Sequence, residues 1–247
     1  MSKRDIKEYT KSYLSMPFLK ENVKYRRECV LEQISKYEHK NILEIGCGMF
    51  PLFEHLENDF DHYLIVEPSA VFAEHAREKA SHLSNVEILE GFFEEQYSNL
   101  LDKKFDFIIC SSLLHEVQDD KKLLLAIREA ANENTLIHIN VPNALSMHRL
   151  IAKEMGLIEH LYQKSENQKE LQQRDVYDIQ TLERVMEESG FNVIDKGSFF
   201  IKPFTHSQMD KMLKSEIINH EVIAGLQKII KYFPDYGSEI FVNVRKS

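Results

Sequence analysis

One stretch, Asn41–Pro51, constrains this chain more than any other. It begins with the apolar run Asn-Ile-Leu-Glu-Ile, which one carboxylate interrupts, and a Gly-x-Gly turn follows at Gly46 and Gly48. A buried strand, a glycine turn and the start of a helix are the parts of a nucleotide-type binding corner in α/β proteins. Glycine permits positive φ and lets a ligand approach the backbone closely. The stretch therefore predicts a ligand site directly after the first strand.

Strand and helix patterns alternate along the first half of the chain after this turn. The strand patterns lie at 41–45, 62–66, 86–89, 105–110 and 135–141, and helical patterns include 70–80 and 120–133. Such alternation predicts βαβ units and a parallel sheet with right-handed crossovers. Ligands of these sheets bind outside the carboxyl ends of the strands.

The flanking segments are predicted to be mostly helical. We expect a helical lid at 1–40 and a main domain at 41–247, with insertions at about 143–180 and 203–236. The leading segment either closes over the mouth of the domain or packs on the edge of the sheet.

Two strand patterns complete the predicted sheet. A helix that begins with Thr181 as its N-cap and ends at Gly190 precedes a sixth strand at 191–194. The last strand, at 237–245, returns through a hairpin-like connection, so we predict that it runs antiparallel to the others.

Composition excludes several classes of function. The net charge of −9 and the absence of any long run of Lys and Arg argue against a nucleic-acid partner. Three scattered cysteines without a CxxC pair favour a reducing compartment and predict neither a disulfide framework nor a metal site. The polar start at Met1–Asp5 and the lack of a long apolar run predict a cytoplasmic protein without a membrane partner.

The glycine turn does not match a dinucleotide fingerprint. That fingerprint requires a third glycine, but Pro51 or Leu52 occupies the position, depending on register. Glu44, just before the turn, would repel a pyrophosphate but suit a cationic ligand such as S-adenosylmethionine. Glu67 ends the second strand about 23 residues later, where an acid can accept hydrogen bonds from ribose hydroxyls.

The ordered set of motifs resembles the class I S-adenosylmethionine-dependent methyltransferases. The resemblance rests on Glu-Ile-Gly-Cys-Gly at 44–48, the acid at Glu67, Phe-Asp-Phe-Ile-Ile-Cys-Ser-Ser-Leu-Leu-His-Glu-Val at 105–117 and a late β-hairpin. It covers 41–141 and, more loosely, 181–245. It implies a Rossmann-like, mostly parallel seven-stranded sheet with an antiparallel last strand.

The resemblance also implies roles for individual residues around S-adenosylmethionine. The segment from Glu44 through Gly46 and Cys47 to Gly48 would flank the methionine part, and Glu67 would hold the ribose. The adenosine would be lined by Pro68 and Ser69, its adenine would be bordered by Gly91, Phe92 and Phe93, and the methionyl end would face Ser111, Leu113 and His115. Arg26 is a candidate for the cofactor carboxylate.

Two positions depart from the family pattern. Many relatives have a third glycine where Phe50 stands, so the turn here is bulkier. Many also have an acid directly after Gly91, where this chain has Phe92, so adenine recognition would rest on backbone groups and on stacking.

The acceptor side is predicted from three residues. His115, after the fourth strand, is a candidate general base, although it could equally cap a helix. His148 and Arg149 follow the fifth strand, and an Arg beside a His suits an anionic acceptor, although both could lie on a solvated helix face.

The sequence thus predicts a methyltransferase that acts on the oxygen of a small polar or anionic acceptor. A sugar, a phosphate or phosphonate, or a carboxylate-bearing metabolite fits this class. The run Pro-Asn-Ala-Leu-Ser-Met-His-Arg at 142–149 resembles bacterial methyltransferases often encoded among surface-polysaccharide or natural-product genes, and this resemblance implies such a pathway. Transfer to nitrogen of an amino sugar or nucleic acid, or a non-catalytic homologue that binds the cofactor, remains the alternative. The oligomeric state is left open.

Overall fold

A computed structural model describes residues 4–57 and 59–247, so the first three residues of the predicted lid lie outside the described residues. The described strands form one seven-stranded sheet in the order β3-β2-β1-β4-β5-β7-β6. The strands are β1 (Asn41–Ile45), β2 (His62–Glu67), β3 (Val86–Glu90), β4 (Phe107–Ser111), β5 (Leu136–Pro142), β6 (Phe191–Phe199) and β7 (Glu239–Lys246).

Helices cover both faces of this sheet and its carboxyl-terminal edge. They are α1 (Ile6–Leu14), α2 (Leu19–Ile34), α3 (Ala70–Ala80), α4 (Phe93–Gln96), α5 (Asp120–Ala130), α6 (Met147–Glu154), α7 (Glu166–Glu170), α8 (Ile179–Glu188), α9 (His206–Lys214) and α10 (His220–Lys228). Short 3₁₀ turns lie at Leu52–His55, Tyr97–Leu100 and Ile229–Tyr232. None of the described helices is long and apolar enough to cross a membrane.

Strands β1 to β5 are parallel, and β7 runs antiparallel to both β5 and β6, as predicted. Because β7 runs in reverse, its first residue, Glu239, pairs with the last residue of β5, Pro142. The start of β7 therefore joins the carboxyl ends of the parallel strands at one rim.

The central strands are buried on both faces, which explains their near-continuous apolar sequences. Leu43 and Ile45 of β1 pack with α5 and α8 on one face, whereas Ile42 packs with α2 and α3 on the other. A third apolar cluster joins α2 to α9 and α10 through Phe18, Phe200 and their neighbours.

Three local predictions differ from the structure. Only one 3₁₀ turn follows the glycine turn, since Glu57 adopts a φ of 49° and ends the helical path. The N-cap of α8 is Asp178, and Thr181 is its capping-box partner three residues on. The edge strand β6 is one continuous strand that contains a bulge between Val193 and Asp195.

Candidate active site

A cavity of about 570 Å³ opens at the rim where the carboxyl ends of β1, β2, β4 and β5 meet the start of β7. This volume lies within the range of small-molecule and cofactor sites. The sequence-predicted residues that line it are Arg26, Glu44, Gly46, Cys47, Gly48, Glu67, Pro68, Ser69, Ser111, Leu113, His115, His148 and Arg149.

The glycine turn forms one wall of the cavity in a conformation that requires glycine. Gly46 and Gly48 have φ values of 76° and 56°, which side chains with a Cβ rarely adopt. A Cβ on Gly48 would also lie 3.4 Å from the hydroxyl of Tyr13 on α1. The turn and α1 therefore approach each other closely at this wall.

Glu67 links this turn to the end of β2. Its Oε1 accepts a hydrogen bond from the Ser69 amide at 2.8 Å, and its Oε2 accepts one from the Gly48 amide at 3.1 Å. Burial raises the pKa of Glu67, while these amides act in the opposite direction. Each oxygen has a second lone pair, so the carboxylate retains acceptor capacity toward the cavity.

One oxygen of Glu44 is occupied by hydrogen bonds within the protein, whereas the sequence predicts that this carboxylate attracts a cationic ligand. Its Oε2 accepts hydrogen bonds from the Tyr63 hydroxyl at 2.8 Å and from the Leu52 amide at 3.2 Å. Burial raises the pKa of Glu44 to about 7. Near neutral pH this side chain is therefore only partly ionised, which weakens its electrostatic attraction for a cation.

The residues predicted to border the adenine are not part of the cavity lining. Phe93 is buried in the main core cluster, so its ring cannot stack on a ligand in the cavity and that part of the prediction is wrong. Gly91 and Phe92 do not belong to the cavity lining either. Ser69 does line it, and its hydroxyl lies 2.9 Å from that of Thr10 on α1.

The loop after β4 brings Ser111, Leu113 and His115 into the cavity wall. Ser112 takes a φ of 55°, and its amide donates to both the backbone oxygen and the Oδ1 of Asn140 at 2.9 and 3.0 Å. Asn140 also donates to the Ser111 hydroxyl at 2.9 Å. Asn140 of β5 thus holds this loop in an uncommon conformation.

His115 is 2% exposed, and neither ring nitrogen has a hydrogen-bond partner among the described residues. Its Nε2 lies 3.6 Å from Oε1 of Glu116. Burial lowers the pKa of His115 to about 4, against the opposing effect of Glu116. The imidazole is therefore neutral at pH 7 and does not cap a helix.

Arg149 is not available to an acceptor, which corrects the prediction from sequence. Its Nε and Nη2 donate to the backbone oxygen of Leu161, Nη2 also donates to that of Gln163, and Nη1 donates to the side chain of Gln168. The guanidinium therefore fixes the segment before and within α7. The sequence missed this role because the carbonyl partners lie more than ten residues away.

His148, one residue earlier on α6, does face the cavity. Its Nδ1 is buried without a hydrogen-bond partner among the described residues. Burial, Lys202 and Arg149 together lower the pKa of His148 well below its ordinary value.

Arg26 of α2 lines the cavity but is paired with Glu239. Its Nε and Nη2 donate to the Glu239 carboxylate at 2.6 to 3.1 Å, and Asn22 donates to the same carboxylate at 3.1 Å. One edge of the guanidinium is thus occupied by Glu239 of β7. A role toward the cofactor carboxylate would fall to the remaining nitrogen, Nη1.

The sequence missed Lys202 altogether. It follows β6, is 4% exposed and lines the cavity with His206 of α9. Burial lowers the pKa of Lys202 to about 7, with Glu239 opposing and Arg26 adding to the effect. No local pattern marks a lysine in Phe-Phe-Ile-Lys-Pro, because its surroundings come from β7, α2, α6 and α9.

The chain also carries no obvious metal centre in its described part. Within residues 4–57 and 59–247, no three His, Cys, Asp or Glu side chains lie close enough together to hold a metal ion. The three cysteines are buried and unpaired, and burial raises the pKa of the Cys47 thiol at the cavity wall.

A family model described as a methyltransferase domain matches residues 19–196, more than half of the 247 residues. The chain belongs to the class I S-adenosylmethionine-dependent methyltransferases. It is accordingly an enzyme, and its cofactor is S-adenosylmethionine. None of the curated proteins compared with this methyltransferase matches it significantly.

Solved structures share the fold of this methyltransferase at low sequence identity. One from Aquifex aeolicus, titled a SAM-dependent methyltransferase, has 17% identity and a TM-score of 0.57 over 90% of each chain. The N-methyltransferase NodS from Bradyrhizobium japonicum, in complex with S-adenosyl-L-homocysteine, has 11% identity and a TM-score of 0.56 over 94% of this chain and 89% of its own.

A third similar structure is titled a [4+2]-cyclase, SpnF. It has 12% identity and a TM-score of 0.58 over 89% of this chain and 79% of its own. The fold is therefore shared by proteins named for different reactions, so the acceptor depends on the residues of the cavity.

Proposed function

We propose that this methyltransferase transfers a methyl group to an oxygen atom of a small polar or anionic acceptor bound in the cavity. The observation that carries the proposal is that a cofactor cradle, formed by Glu67 and the turn at Gly46 and Gly48, lines the same cavity as the neutral imidazole of His115, which is unpartnered among the described residues. The cradle supplies a place for the methyl donor, and His115 supplies a proton acceptor beside it.

The residues of the cradle fit S-adenosylmethionine. The free lone pairs of Glu67 suit two ribose hydroxyls, and the positive-φ turn at Gly46 and Gly48 leaves room for the methionine part. Pro68, Ser69 and Phe72 would border the adenosine, in contact with α1. Because Phe93 is in the core, the adenine would rest mainly on backbone groups.

The cofactor supplies an electrophilic methyl group on its sulfonium. The contribution of the protein is to hold the acceptor oxygen in line with that methyl group and to exclude water. The loop from Ser111 to His115 borders the cavity next to the glycine turn, with Leu113 only 3.5 Å from where a Gly46 Cβ would lie. That loop would therefore position the acceptor against the donor.

His115 would accept the proton of the acceptor hydroxyl. A pKa of about 4 makes it a weak base, but a hydroxyl becomes strongly acidic as its oxygen bonds to the methyl carbon. A neutral ring with an open lone pair is then sufficient. An amine acceptor would gain less from such a group, which favours oxygen over nitrogen.

The acceptor atom can be tested by isotope transfer. The enzyme, S-adenosylmethionine carrying a ¹³C methyl group and a metabolite extract should yield a new ¹³C signal at the shift of an O-methyl group. A signal at an N-methyl or C-methyl shift would contradict oxygen transfer, and full activity of His115→Ala would reject the base role. Bound cofactor without turnover on any extract would favour the non-catalytic alternative.

We further propose that the acceptor is a free small molecule of the cytoplasm, since the cavity of about 570 Å³ has the size of a small-molecule site and three thiols remain unpaired. The net charge of −9 disfavours nucleic acid. RNA retained with the enzyme in a filter-binding assay at physiological salt would contradict this.

A further inference from the structure

Three nitrogen-bearing side chains at one end of the cavity have no role in the mechanism above. They are Lys202 after β6, His148 of α6 and His206 of α9. Nδ1 of His148 and Nε2 of His206 are buried without hydrogen-bond partners in the described part of the chain. The Lys202 amine, on a side chain that is almost fully buried, makes no hydrogen bond or ion pair within residues 4–57 and 59–247.

The acid that acts on this cluster is separated from the cofactor cradle in the sheet. Lys202 interacts electrostatically with Glu239, the first residue of β7. In the sheet order, β7 is three strands away from β1, whose end forms the cradle. Three strand spacings place the start of β7 about 14 Å from the end of β1. The cluster therefore faces a ligand other than the ribose and glycine-turn part of the cofactor.

The charges around Lys202 leave its amine without a partner when it is protonated. Glu239 of β7 is the nearest acid that acts on it, but Arg26 of α2 already occupies that carboxylate with two nitrogens. The other groups that face it, His148 and His206, are neutral. A buried ammonium without a counter-charge is costly, so the cluster lacks one negative group.

We propose that Lys202, His148 and His206 form a subsite that binds an acid group, a carboxylate or a phosphoryl group, on the methyl acceptor. This inference rests on the function proposed above and narrows the acceptor to a small acid. The acid group would bind at Lys202, and the hydroxyl that receives the methyl group would lie toward His115. An anion at the subsite would supply the missing counter-charge and accept hydrogen bonds from the two imidazoles.

The subsite predicts that acid binding is coupled to proton uptake. In the ligand-free protein the pKa of Lys202 is about 7 because of burial, so the amine is mostly neutral at pH 8. A bound anion raises the pKa of the amine, since it stabilises the charged form. Each binding event at pH 8 should therefore take up close to one proton, and affinity should fall as pH rises above 7.

The test uses the enzyme saturated with S-adenosylhomocysteine, titrated at pH 8 with inorganic phosphate and with malonate. Calorimetry in buffers of different ionisation enthalpy measures both the affinity and the number of protons taken up. We expect Lys202→Met to lower the affinity for both anions at least tenfold and to abolish proton uptake. Lys211→Met, at an exposed position of the neighbouring helix α9, is the matched control and should change neither.

A second variant separates a binding role from a structural one. His206→Gln keeps a polar group. It should lower the affinity for phosphate several-fold, while its Tm stays near that of the wild type. Anion affinities that are unchanged in both Lys202→Met and His206→Gln would overturn the subsite, as would wild-type enzyme that binds neither anion.

The cofactor also carries a carboxylate, which could bind at Lys202 in place of an acid group of the acceptor. The same titrations distinguish these two ligands. If Lys202 bound it, Lys202→Met would lose S-adenosylhomocysteine affinity tenfold while phosphate binding to the loaded enzyme stayed unchanged, and the inference would be overturned. We expect S-adenosylhomocysteine affinity to stay within twofold. Failure of the wild type to bind S-adenosylhomocysteine at all would overturn the proposed function itself, whereas cofactor binding without anion binding overturns the subsite alone.

Discussion

At the scale of single residues, the cradle depends on two buried acids, Glu67 and Glu44, which have different roles. Glu67 has lone pairs left for a ligand, whereas Glu44 fastens the turn to Tyr63 and to Leu52. The sequence predicted both positions, because strand-end acids follow from the local pattern. It could not distinguish their roles, since the partner of Glu44 is a tyrosine 19 residues away.

Replacing Glu67 should weaken the cofactor site. We expect Glu67→Ala to reduce S-adenosylhomocysteine affinity by about 1–3 kcal/mol, because the variant loses the hydrogen bonds to the ribose in a buried site. Glu90→Ala, which removes the exposed carboxylate at the end of β3, is the matched control in the same calorimetric titration. Equal affinities of the two variants would remove the ribose assignment.

The raised pKa of Glu44 predicts that the free energy of unfolding depends on pH. Burial raises its pKa in the folded protein to about 7, from an ordinary value of 4.5. Relative to Glu44→Gln, the wild type should therefore be most stable below pH 4.5 and should lose that advantage as pH rises through 7. The full difference is about 3 kcal/mol. Denaturant unfolding at pH 4.5 and 8 measures it, and a difference that is the same at both values would contradict the assignment.

Arg149 illustrates why the acceptor side was harder to predict. Arg149→Met should lower the free energy of unfolding by about 1–3 kcal/mol, because carbonyls of Leu161 and Gln163 lose their donors. S-adenosylhomocysteine affinity should not change. Lys153→Met is the control on the same helix, since that exposed amine contacts one carbonyl. A stable Arg149→Met enzyme without activity would restore the catalytic role.

At the scale of elements, α1 is the part of the predicted lid that contacts the cradle. Arg4, just before the helix, forms an ion pair with Glu116 at 2.7 Å, and its guanidinium lies 3.5 Å from the centre of the Tyr9 ring. Thr10 and Tyr13 contact Ser69 and the Gly48 wall on the same side. The sequence left open whether this segment covers the mouth, because its partners are far away in the chain.

If α1 acts as a lid, loosening it should speed release of the cofactor product. We expect Arg4→Met to raise the dissociation rate of S-adenosylhomocysteine about tenfold or more, since it removes one member of a buried ion pair. Stopped-flow displacement measures the rate. Lys7→Met, at an exposed position of α1, should leave it unchanged, and equal rates for both variants would rule out a lid fastened by Arg4.

At the scale of the whole molecule, sequence and structure agree where information is local. Strand periodicity and the glycine turn were predicted because neighbouring residues determine them. The reversed direction of β7 was also predicted, although its partners β5 and β6 lie far from it in the chain. At the acceptor end His148 was predicted, but Lys202 and Glu239 were not, because they lie after β6 and at the start of β7 and meet only in the folded chain. A lysine in an apolar segment has no signature until its burial is known.

The central claim is that the cradle binds S-adenosylmethionine and its demethylated product, and not a dinucleotide. Its most direct test is a calorimetric comparison of S-adenosylhomocysteine with NAD on the wild-type enzyme. We predict that S-adenosylhomocysteine binds with one molecule per chain and that NAD gives no measurable heat, because the turn lacks a third glycine and holds Glu44 behind it. No binding of S-adenosylhomocysteine, or equally tight binding of NAD, would contradict the account.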